Sequence, residues 1–89
     1  MDAYENHKKW IEELNKKALE IVRELKDRWK EAAMLNNIGS AYLKINKADL
    51  AFDYAQQSVA LSGEIGAKEI LQIALETQSE AAYDMGNFK

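Results

Sequence analysis

His7 is the single histidine of the 89-residue chain, so it is the first place to look for chemistry. An imidazole serves as a general base or a metal ligand near neutral pH, but either role needs a second group that holds its ring. Tyr4 and Ile11 stand one turn away, and no carboxylate lies three or four residues from it. His7 therefore reads as a packing residue. The serines at 40, 58, 62 and 79 form no G-x-S-x-G elbow, and the glycines form no phosphate-cradling G-x-x-x-x-G-K-[ST] loop. The acids Glu12 and Glu13, and Glu69 with Glu76, sit among lysines on faces expected to be solvated. With no cysteine there is neither a disulfide framework nor a thiolate metal site. Trp10 and Trp29 read as packing residues rather than a platform for stacking bases. These residues point to no enzyme, no metal and no cofactor.

What positions them is a set of helices. Proline is absent, and Ala, Leu, Glu, Lys and Gln, which lose little on entering a helix, are abundant. No segment alternates apolar and polar residues long enough to suggest a strand. The formal charge is −3, with 12 basic residues interspersed among 15 acidic ones. That pattern argues against a nucleic-acid or anionic-membrane surface. The first ten residues are polar and charged, and no apolar run approaches the ~20 residues needed to span a bilayer. A soluble, cytoplasmic chain is expected, with residues 1–89 forming one small all-α domain.

Periodicity predicts four helices. In the first, Tyr4 to Lys26, the residues Tyr4, His7, Ile11, Leu14, Ala18, Ile21 and Leu25 fall on one stripe expected to face inward, widened by Trp10 and Val22. Asp27 is the expected N-cap of a second helix reaching Ile45, with Ala32, Leu35, Ile38, Gly39 and Tyr42 inward and Asn46 as its left-handed stop. A third, Lys47 to Glu64, ends towards Gly66, and a fourth runs from Ala67 to Met85. Short turns make consecutive helices antiparallel neighbours.

Sliding the chain by forty residues pairs Glu24-Leu25 with Glu64-Ile65, Arg28 with Lys68, Leu35 with Leu75 and Ala41 with Ala81. The chain is a helical hairpin written about twice. Leu35, Ile38, Gly39 and Tyr42 match the pattern W-x2-L-G-x2-Y with leucine for tryptophan, and Ala51 follows nine residues after the tyrosine. Over residues 32–65 the chain resembles a tetratricopeptide repeat (TPR), and its longer inter-repeat segments resemble the extended repeats of bacterial signalling and regulatory proteins. The resemblance implies an α-solenoid fragment of antiparallel hairpins in the order B-A-B-A. It also implies that Gly39 faces the third helix near Ala51, where small residues let two helices approach. Ala55 departs from the pattern, standing where the family has an aromatic residue. In the second copy Gln78, Ser79 and Ala82 depart from the Leu, Gly and Tyr places.

In that family the A helices line a groove that receives an extended peptide or a partner helix. The corresponding residues here are Ala33, Asn36, Asn37, Ser40, Leu43 and Lys44, followed by Ile73, Glu76, Thr77, Glu80, Tyr83 and Asp84. The resemblance makes Asn37 the residue that holds a peptide backbone. One Lys44 against three acids leads us to expect a neutral or basic segment rather than an acidic C-terminus.

The alternative is a self-associating repeat fragment, natural or engineered, with a structural role and no ligand of its own. A terminal repeat needs a polar outer face or a cap. The chain instead offers Trp10, Leu19 and Val22 outside the strict stripe of the first helix, and Ile70, Leu71 and Met85 on the fourth. Lys26 stands where the second copy has Gly66, so the turn after the first helix is weakly marked. A homodimer or larger assembly is the expectation, with exchange of the first helix through "LKDRW" as its sharper form.

Overall fold

The computed structural model describes residues 3–86, with side chains described outside residues 3–8 and Ile11. It is all-α. Helices α1 (Ala3–Glu24), α2 (Arg28–Lys44), α3 (Ala48–Ile65) and α4 (Lys68–Gly86) follow one another through short turns. Each boundary lies within a few residues of the sequence-based expectation.

The turns share a device. Lys26, Asn46 and Gly66, spaced by twenty residues, are the three positive-φ residues among those described, at φ 57°, 62° and 73°. Each follows an apolar residue, Leu25, Ile45 or Ile65. At the second and third turns the chain closes back on itself, Lys47 N–H donating to Tyr42 O at 2.9 Å and Ala67 N–H to Ser62 O at 2.8 Å. Such bonds satisfy carbonyls that a helix end would otherwise leave without a partner. Asp27 caps α2, its carboxylate accepting from Lys30 N–H at 3.1 Å.

Helices α1 and α2 are thus separate, and Lys26 adopts the left-handed conformation at a cost that glycine would not carry. Lys26→Gly is expected to raise stability by about 1 kcal/mol, which is about 4–8 °C in Tm for a domain of this size. Thermal unfolding followed by circular dichroism checks this, and a lowered Tm would contradict it.

The helices pack as an open row. Among the described residues α1 contacts α2 only, α2 contacts α3 and α4, and α3 contacts α4. Among the described residues no contact joins α1 to α4, as a closed four-helix bundle would require. The row forms a slab whose Cα atoms span 41 × 32 × 14 Å. Ion pairs mark the antiparallel neighbours. Arg23 near the end of α1 meets Glu31 near the start of α2 at 3.1 Å, and Arg28 at the start of α2 meets Glu64 at the end of α3 at 3.4 Å. Lys47 reaches back to Glu12 of α1 at 2.8 Å.

The core centres on α2 and α3. Leu35, Ile38, Tyr42, Ala51 and Leu61 are buried together with Leu19, Ala32 and Ala81, and Tyr54 and Ile65 pack against them. Tyr42 stacks on Tyr54 with ring centroids 5.5 Å apart. Gly39 lies at the junction of three helices. A Cβ there would stand 3.1 Å from Ala51 O and 3.3 Å from Ala55 N, both on α3, and 3.6 Å from Thr77 Cγ2 on α4. The expected approach of Gly39 to Ala51 is therefore present. It also explains Ala55, since an aromatic side chain would need room where two backbones meet.

One expectation about α1 is corrected. Leu14, Ile21 and Leu25 of the supposed inward stripe are exposed, Ile21 at 58% and Leu25 at 69%, whereas Leu19, assigned outside it, is 5% exposed. At about 100° per residue the apolar arc of α1 runs from the Leu14–Ile21–Leu25 line round to Leu19. It is wider than one neighbour covers. Helix α2 takes the Leu19 side, and Val22 and Ala18 lie half-buried between the two. The side chains of Tyr4, His7 and Ile11, also placed inward by periodicity, lie outside the described set.

Candidate functional site

The exposed faces of α2 and α4 are the candidate partner-binding surface. On α2, helical spacing sets Ala33, Asn37, Ser40 and Lys44 on one face, with Asn37 and Lys44 exposed and Ala33, Ser40 and Leu43 half-buried. On α4, Ile73, Glu76, Glu80, Tyr83 and Asp84 share a face and are exposed. Helices α2 and α4 touch directly, Gly39 lying next to Thr77. Asn37 offers an amide able to donate and accept at once, and Ile73 and Tyr83 offer apolar and aromatic surface. Lys44 is outnumbered by Glu76, Glu80 and Asp84.

Asn36 and Thr77, expected on the same surface, are buried instead, each 7% exposed. Thr77 lies against Gly39 of α2, its Cγ2 3.6 Å from where a Cβ there would stand. Thr77 Oγ1 donates to Ile73 O at 3.2 Å within its own helix. Asn36 Oδ1 is buried and accepts no hydrogen bond among the described residues. A buried acceptor without a donor costs stability.

Ser58 and Ser62 are fully buried and serve the packing. Ser58 Oγ donates to Ala32 O at 2.8 Å, joining α3 to the second turn of α2, and Ser62 Oγ donates to Ser58 O at 2.6 Å. Burial pushes the Tyr42 phenol above its ordinary value, with Glu12 and then Tyr54 adding to the effect. The raised value favours the protonated phenol in the fold. Its contribution is thus complete below the unfolded pKa and is lost as pH rises through the folded one. Among the described residues no group of three His, Cys, Asp or Glu side chains is placed to hold a metal ion. No described helix is long and apolar enough to cross a membrane.

The residues assigned to self-association divide. Trp10 and Met85 are exposed, Val22, Ile70 and Leu71 are half-buried, Lys26 forms the first turn, and Leu19 belongs to the core. The sequence reading left out of this group Leu14, Ile21 and Leu25, which it placed inside, and Leu75, which is 45% exposed. A signal for the α4 member existed. Leu75 is the forty-residue counterpart of Leu35, whose neighbour in the hairpin is α3, and among the described residues no helix follows α4 to cover it.

Comparison with protein-family models, with curated proteins and with solved structures returned no significant match.

Proposed function

We propose that the chain is a non-catalytic interaction scaffold of TPR type, binding a peptide or partner helix across the adjoining exposed faces of α2 and α4. The observation that carries this reading is the direct contact of α2 with α4. On this reading the exposed Asn37, Glu76 and Glu80 form one surface. An extended segment gains backbone hydrogen bonds from an amide and apolar contact from Ile73 and Tyr83. The acids select against a like-charged ligand.

A neutral or basic segment is the expected ligand. Peptides selected from a random display library are expected to be neutral or basic, and Glu80→Lys is expected to weaken a lysine-containing one by roughly tenfold. Calorimetric titration of the selected peptide against the wild type, Asn37→Ala and Glu80→Lys measures this. Micromolar binding of an acidic pentapeptide, abolished by Asn37→Ala, would refute the charge argument. The absence of any selected peptide that is sensitive to Asn37 would remove the scaffold reading.

A further inference from the structure

Two apolar faces lie exposed at opposite edges of the helix row, and the repeat relates them to a contact already made inside the chain. On α1 and the turn that ends it, the exposed Leu14, Ile21 and Leu25 are the forty-residue counterparts of Tyr54, Leu61 and Ile65 on α3. Those α3 residues are buried in the core or packed against it, Tyr54 lying on Tyr42 of α2. On α4 the exposed Leu75, Ala82 and Met85 are the counterparts of Leu35 and Tyr42 on α2 and of its C-cap Ile45, all of which face the same core. Helix α1 therefore presents the surface that α3 uses against α2, and α4 presents the surface that α2 uses against α3.

We propose that this chain associates head to tail with a second copy of itself, α1 of one copy lying antiparallel on α4 of the next, as α3 lies on α2. Charge supports the register. Within the chain Arg28 of α2 pairs with Glu64 of α3 at 3.4 Å. Their counterparts are Lys68 at the start of α4 and Glu24 at the end of α1, both exposed and without an ion-pair partner among the described residues. Docking in the α2–α3 register brings Lys68 of one copy to Glu24 of the next with the same polarity. A symmetric pairing of two α1 helices leaves that match unused.

Shape agrees. Where α3 and α4 meet, Phe52, Ala82, Met85 and Gly86 line an apolar cleft of about 330 Å³. Ala82 stands in the place of Tyr42, so it leaves room that an apolar side chain from α1 fills, Leu14 being the residue in register with it. The contact is heterologous, the pair keeping one free face of each kind, so association continues beyond two copies unless the row closes into a ring. Leu75, Ala82 and Met85 lie on a different face of α4 from Glu76, Glu80 and Tyr83, so this assembly stands or falls separately from peptide binding.

The test uses the unmodified 89-residue chain and two variants at exposed positions, Ile21→Glu and Leu75→Glu. Light scattering over a concentration series is expected to show the wild-type mass rising past two copies. A charge on either face should raise the dissociation constant by roughly thirtyfold, the scale of a central interface residue. Each variant alone is then monomeric. Mixed in equal amounts they form a dimer and stop there, since one intact face of each kind remains between them. Glu24→Lys is expected to weaken association roughly threefold and the double variant Glu24→Lys/Lys68→Glu to restore it, a second reading that leaves the apolar faces untouched. A 10.1 kDa monomer persisting to millimolar concentration would overturn the proposal. So would a mixture of the two variants that fails to associate, or association lost with Ile21→Glu but unaffected by Leu75→Glu, which is the mark of α1 pairing with α1.

Discussion

Gly39→Leu is expected to lower the unfolding free energy by ~3 kcal/mol, the upper end of what overpacking ordinarily costs. The magnitude follows from what the new side chain meets. Atoms 3.1 and 3.3 Å from the added Cβ belong to the backbone of α3, and backbone in mid-helix cannot rotate away as a side chain does. Thr77 on α4 closes the third side at 3.6 Å, so relief on one helix means displacement of another. Gly39→Ala is a graded control. Its gain in helix propensity, about 1 kcal/mol, opposes the same tight contact with a single methyl group. Urea unfolding of the three proteins measures the series, and an unchanged or raised midpoint for the leucine variant would contradict the packing argument.

The second large effect contrasts two leucines that the repeat makes equivalent. Leu35 is 2% exposed and Leu75 is 45% exposed, although forty residues apart they hold the same place on their helices. Leu35→Ala removes buried methyl groups from the centre of the α2–α3 contact and is expected to cost about 3 kcal/mol, within the range seen for leucine truncation in cores. Leu75→Ala, on a face with little covering it, should cost less than ~1 kcal/mol. Both are measured by denaturant unfolding at the lowest workable concentration, where copies are apart. Equal losses there would show that α4 is covered within the single chain. A loss at Leu75 that grows with concentration belongs instead to contact between copies.

Much of the fold was legible along the chain because it is written in local terms. Asp27 caps a helix with its own carboxylate, Asn46 and Gly66 accept a left-handed backbone, and the spacing of Leu35, Ile38 and Tyr42 sets one face of α2. Lys26 was less legible. Nothing about a lysine announces a left-handed turn, yet Lys26 adopts one, at φ 57°. Of the candidate surface, Asn37, Lys44, Ile73, Glu80 and Tyr83 were readable as exposed helix-face residues. Asn36 and Thr77 were not, because burial at the edge of a helix face depends on how closely the neighbouring helix approaches.

By itself, then, the sequence determined four helices, the breaks at Asn46 and Gly66 and the forty-residue kinship, since each is written in residues read along the chain, while the close contact at Gly39 followed from the resemblance to a repeat family. Only the tertiary structure decided which part of a broad apolar arc is covered. Helix α1 has apolar residues enough for two neighbours and receives one, so Leu19 goes inside while Ile21 and Leu25 stay out. Periodicity specifies the width and direction of such an arc. It carries no information on how many helices arrive to bury it, because that number is set by the order in which the helices stack and by what stands at the edges of the row.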